Sequence, residues 1–86
     1  MKPGDVVISR AGRDKGRALI VLDRLDENYV LLVDGDLRRL EKPKKKKIVH
    51  LQKTKRMTDK LDEAITSKNN ALLRKELIRL VPRKGS

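Results

Sequence analysis

The apolar residues of the first half of the chain come in short blocks: Val6-Val7-Ile8, Ala18-Leu19-Ile20-Val21-Leu22 and Tyr29-Val30-Leu31-Leu32-Val33. Blocks this short, rich in β-branched residues and separated by turn formers, suit strands better than helices. The last two are apolar on both faces, which predicts that both faces are covered. Pro3-Gly4 and Asp34-Gly35 are turn signals. The second leads into an expected fourth strand around Leu37–Leu40, and Ile48–Leu51 reads as a fifth. Five short strands at this spacing predict a small β-barrel, which closes its own sheet and removes the edges.

After residue 56 the period changes. Leu61, Ala64 and Ile65 recur at helical spacing, with Thr58 placed as an N-cap and Asp59 in the first turn. Ser67-Lys68-Asn69-Asn70 interrupts the pattern, and either asparagine can cap a second helix carrying Leu73, Leu77, Leu80 and Val81 on one face. Pro82 ends it, and Arg83–Ser86 reads as a frayed tail. The organisation expected is a single domain, mainly β, with residues 1–56 as barrel and residues 57–86 as one or two covering helices.

Eighty-six residues bury one modest core and leave little room for a deep substrate pocket. Without cysteine there is neither a disulfide framework nor a thiolate metal site. The start, Met1-Lys2-Pro3-Gly4-Asp5, lacks the apolar core of a signal peptide, and no apolar run approaches the roughly 18 residues of a membrane span. The chain therefore reads as soluble and cytoplasmic. Its net charge is +11, which favours polyanionic partners. The excess is unevenly placed: net +1 over residues 1–40, +7 over residues 41–56 and +3 over residues 57–86.

Two constellations carry this charge. Between the first two apolar blocks, Gly12 and Gly16 bracket Arg13, Asp14 and Lys15, with Arg10 and Arg17 at the edges. Glycine tolerates a positive φ, so such a loop can hold Arg13, Lys15 and Arg17 outward together, where exposed cations suit phosphate oxygens. Asp14 is placed to hold the loop by accepting from its backbone amides. The bland alternative is an ordinary hairpin with solvated charges. The second constellation runs from Arg38 to Arg56 and includes Arg39, Lys42, Lys44, Lys45, Lys46, Lys47, Lys53 and Lys55. Like charges so close repel, which predicts an extended loop until a polyanion neutralises it and releases counterions. A solvated linker or a nuclear-localisation patch are the alternatives.

Gly4-Asp5-Val6-Val7, then Ala11-Gly12-Arg13-Asp14-Lys15-Gly16, then the apolar strand to Leu22 resemble a KOW motif. With Tyr29–Gly35 and Leu37–Lys47 they resemble the large-subunit ribosomal protein family "L-fourteen-e" and its bacterial KOW-domain relatives, over about residues 3–51. The resemblance implies an SH3-like barrel that docks on ribosomal RNA in the cytoplasm, with neighbouring ribosomal proteins as further partners. The helical segment from residue 57 carries no such likeness.

The remaining residues speak mostly by exclusion. Tyr29 is the only aromatic side chain and reads as a core-edge residue. Single-strand binders stack bases on aromatic platforms, so an RNA partner here is expected to be folded and read through its phosphates. His50, the lone histidine, has no partner at metal-ligand or triad spacing. The carboxylates form no acid/base pair, and no phosphate-loop, dinucleotide or hydrolase motif is present, so a non-enzymatic protein without cofactor or small-molecule substrate is expected. Two rivals remain. One is a protein-interaction KOW module of the transcription or translation machinery, against which the lysine content argues. The other is a non-specific DNA binder, which lacks a recognition helix.

Overall fold

The computed structural model describes residues 1–81. Strands β1 (Asp5–Ser9), β2 (Ala18–Arg24) and β3 (Tyr29–Val33) fall on the three apolar blocks. They are followed by β4 (Lys44–Lys47), a single 3-10 turn over Ile48–His50, β5 (Leu51–Met57), and helices α1 (Leu61–Ser67) and α2 (Asn70–Leu80). Every strand pairing is antiparallel.

The sheet order is β4-β3-β2-β1-β5, and β4 and β5 remain its two edges. The expected barrel is therefore not formed, neither the one read from strand spacing nor the SH3-like one implied by the KOW resemblance. Closure would set Lys44–Lys47 against Lys53, Lys55 and Arg56, and like charges directly opposite destabilise a ladder. The edges are protected instead by their own lysines, which discourage further strands from adding.

The open sheet is nevertheless strongly bent. Register shifts between Asp5 and Val7 in β1 and between Val21 and Asp23 in β2 mark bulges, which increase local twist. The bend brings the Lys46 ammonium of β4 to the Ser9 hydroxyl of β1 at 2.7 Å, across two intervening strands. Alternation along each strand then serves two cores. Val7, Leu19, Val21, Val30, Leu32 and Leu51 meet inside the bend. Val6, Ile20 and Val33 face the other way and pack against Leu61, Ala64, Leu73 and Leu80 of the helices. The two-faced apolar character of β2 and β3 is thus satisfied by helices on one side and by the sheet's own bend on the other.

Two expected strands are moved. Leu37–Leu40 belongs to a closed turn, because the Asp34 carboxylate accepts from the amides of Asp36 and Arg38, both at 2.8 Å. The Arg38 carbonyl in turn accepts from the amides of Asp34 and Gly35. The fourth strand is the lysine run itself, and the fifth begins where the Ile48–Leu51 strand was expected to end. The extended basic loop is accordingly replaced by two edge strands and a turn. Main-chain pairing of Lys44–Lys47 with Leu32–Tyr29 supplies what lysine's weak strand preference does not.

The helices sit close to where periodicity put them. Lys60, not Thr58, is the N-cap of α1. Thr58 is buried and donates its hydroxyl to Glu76 at 2.6 Å. Both asparagines at the start of α2 are used: Asn69 accepts from the amide of Leu72, and Asn70 accepts from the amide of Leu40. Ile65, expected on the apolar face, is exposed, whereas Glu76 is buried beside Leu73 and Leu80. Hydrogen bonds from Arg79 hold the Glu76 carboxyl down to about 2 against the burial that raises it, with Thr58 adding a smaller downward pull. The expected stop at Pro82 and the tail beyond it lie outside the described residues.

Candidate functional site

The glycine loop between β1 and β2 is built by its main chain. The amide of Ser9 donates to the Arg17 carbonyl at 3.0 Å, and the amide of Gly16 donates back to the Ser9 carbonyl at 2.8 Å. Gly12 and Gly16 take φ values of +77° and +85°, and a Cβ at Gly16 would meet nothing, so the requirement there is backbone angle and not space. Lys46 plugs the loop from the neighbouring edge, donating to the Ser9 hydroxyl and to the Ala11 carbonyl, each at 2.7 Å.

A second fastening joins this loop to the Asp34–Arg38 turn. The Arg17 guanidinium pairs with Asp34 at 3.1 Å, and the Arg38 guanidinium pairs with Asp14 at 3.1 Å. Each loop thus donates one arginine and receives one at a buried carboxylate. Asp14 faces Arg38 and not the loop amides expected of it. Arg17, Arg38 and Lys46, three of the cations nominated from sequence, are occupied in holding the scaffold. This crossed pair is the feature that sequence reading missed. Residues 14 and 38, or 17 and 34, carry no local signal of proximity.

The remaining nominated cations divide by position. Arg10, Arg13 and Lys15 are exposed on the glycine loop, and Lys44, Lys45 and Lys47 are exposed on β4. Among the described residues, no carboxylate lies within ion-pairing distance of these six. They are neighbours, because Lys46 seats the loop on β4 and the Arg10 amide donates to the His50 carbonyl at 2.8 Å. Arg39 and Lys42 are exposed on the turn leading into β4, where the Arg39 side chain donates to the Asp36 carbonyl.

β5 is different. Its Leu51 end pairs with Ser9 beside the glycine loop, and its Met57 end pairs with Asp5 at the far end of β1. Lys55 and Arg56 therefore lie away from the loop cluster along the sheet, and Lys53 lies 3.8 Å from the Asp5 carboxylate. The structure sets the loop beside the β4 edge, where Lys44 and Lys46 share the face of Val30 and Leu32 and Lys45 and Lys47 share the face of Tyr29, and leaves most of the β5 charge apart from it.

On the face of β4 shared with Tyr29, Lys45 lies over the tyrosine ring, 4.6 Å from its centroid. The adjoining Asp26 carboxyl accepts from the amides of Asn28 and Tyr29, which lowers its pKa and keeps it turned toward the backbone. Among the described residues, no group of three histidine or carboxylate side chains could hold a metal ion, and no helix is long and apolar enough to cross a membrane. No protein-family model matches this chain.

Proposed function

We propose that this protein binds folded RNA through phosphate contacts made by Arg10, Arg13 and Lys15 of the glycine loop and Lys44, Lys45 and Lys47 of β4. The observation that carries this reading is the separation of two kinds of cation on the glycine loop and the β4 edge beside it. Arg17 and Arg38 are bonded inward and fix the loop against the Asp34–Arg38 turn, and Lys46 fixes it against β4. The six beside them are exposed and have no ion-paired carboxylate among the described residues, Lys45 resting over the Tyr29 ring. Ammonium and guanidinium groups held on a rigid support match a fixed phosphate spacing, as a folded RNA presents, better than the shifting phosphates of a flexible strand.

Ribosomal RNA of the large subunit is the target that the KOW-like residues favour, and a cytoplasmic, ribosome-associated, non-enzymatic role follows from it. Crosslinking the protein to RNA in cells, with sequencing of the bound RNA and gradient sedimentation, tests the assignment. Co-migration with large ribosomal subunits and crosslinks to their RNA are expected. Migration with free protein, without enriched RNA, would overturn it.

A further inference from the structure

Tyr29 pairs directly with Lys47, so Tyr29, Lys45 and Lys47 project from the same face of the β3–β4 ribbon. This patch lies beyond the part of the face on which the helices pack, since the helix-covered core takes Val33 from β3 and no residue of β4. A shallow groove opens there, bordered by Asn28, Tyr29, Lys47 and Val49. Val49 stands 77% exposed on the 3-10 turn, an apolar side chain that packs in neither core. The Asn28 main chain is engaged, its amide with Asp26 and its carbonyl with the Ile48 amide. Its side-chain amide has no hydrogen-bond partner among the described residues, leaving one donor group and one acceptor at the groove's edge. The turn that borders the groove adjoins the glycine loop, because the residue after Val49, His50, accepts through its carbonyl from the amide of Arg10.

We infer that this groove is a subsite for one unpaired nucleobase, stacked on the Tyr29 ring, flanked by Val49 and met at its edge by the Asn28 amide. The inference rests on the RNA-binding reading above and sharpens it. An aromatic face, a bare aliphatic neighbour and an uncommitted amide together suit a flat heterocycle with a donor–acceptor edge. Lys45 covers the ring in the free protein and is displaced onto a phosphate flanking the base, with Lys47 on the other side. The partner is then a folded RNA with an extruded base, its helix phosphates on the glycine loop and its loose base in the groove.

Tyr29 is the only phenol in the chain, so its ring signals in the NMR spectrum of isotope-labelled protein report on this groove alone. The test uses one RNA hairpin in three forms: with a single bulged adenosine, with an abasic nucleotide at the bulge, and fully paired. The bulged form is expected to bind about tenfold more tightly than the abasic form, as loss of one stacked base would predict, and to shift the Tyr29 ring resonances upfield. Tyr29→Leu should remove that tenfold difference and leave affinity for the abasic form unchanged. Should Tyr29→Leu fold poorly by circular dichroism, Val49→Ser at the exposed position should narrow the same difference. Equal affinity for bulged and abasic forms, with Tyr29 signals unmoved and binding still dependent on salt, would overturn the base subsite and leave the phosphate surface standing. Failure to bind any of the three would overturn both.

Discussion

Two glycine turns lie side by side in this protein and are used in opposite ways. The Arg10–Arg17 loop and the Asp34–Arg38 turn each contain glycine at positive φ, each contribute one arginine and one carboxylate to the crossed pair, and each follow a strand of the same sheet. The difference is what lies behind the glycine. Gly35 packs on the start of α2, where an added Cβ would overlap the Asn70 carbonyl oxygen and crowd Arg74. Gly16 faces open space. The Asp34–Arg38 turn is a structural clasp between sheet and helix, and the Arg10–Arg17 loop is a scaffold held from below with its tip left free. Positive charge in a sequence therefore says little until one knows which charges the scaffold has already engaged.

The comparison breaks most visibly at Gly35. Gly35→Ala combines an unfavourable backbone angle with a backbone overlap and should cost about 3 kcal/mol or more. Urea denaturation would read this, and a loss below about 1 kcal/mol would mean that α2 does not seat on the turn. Acid should next loosen a separate fastening of α2, where Glu76 accepts from Thr58 and Arg79. The Glu76 carboxyl titrates near 4.5 when unfolded and about 2 when folded. Its folded value is depressed, so its stabilisation is fully present above pH 4.5 and is lost as pH falls toward 2. Melting midpoints should fall across that window, and Glu76→Gln should be less stable near neutrality with a flatter acid limb. Arg38→Ala would leave the Asp14 carboxylate buried without its cation. Because Arg38 is itself 28% exposed, water softens the penalty, and a loss of about 2 kcal/mol is expected by the same urea assay. Gly16→Ala should cost only about 1 kcal/mol, from the backbone angle alone. If Gly16→Ala proved as damaging as Gly35→Ala, the distinction between the two turns would fail.

Some of this was legible in the sequence, for identifiable reasons. The first three strands and both helices were announced by apolar period, a local signal that burial obeys. Asn69, one of the two asparagines offered, was a recognisable cap of α2. The open sheet was not legible, since strand spacing alone cannot say whether Lys44–Lys47 and Leu51–Met57 pair with each other or end the sheet. The fourth strand was misplaced because Asp34 closes a turn over Leu37, and the lysine run, poor in strand preference, is a strand only because β3 offers it a ladder. At the site, the basic loop and its positive-φ glycines could be marked from spacing. The division of its cations into inward and outward could not. That division depends on the bend that lays Lys46 across Ser9 and sets Arg17 and Arg38 against each other's turns.

The smallest effect on stability should accompany the clearest effect on binding. Arg13→Ala with Lys15→Ala removes two exposed charges and should change stability by no more than about 0.5 kcal/mol, while weakening affinity for a folded RNA more than for a random single strand. The most direct measurement compares the two basic edges. Affinity for one folded ribosomal RNA fragment is measured across a salt series for Lys44→Gln/Lys45→Gln/Lys47→Gln and for Lys53→Gln/Lys55→Gln/Arg56→Gln, each removing three charges. The β4 variant should flatten the log–log salt dependence by about 0.7–0.9 for each phosphate it no longer neutralises, and the β5 variant should leave it close to that of the unaltered protein. Equal flattening by both, or a larger effect from β5, would contradict a binding surface built from the glycine loop and β4.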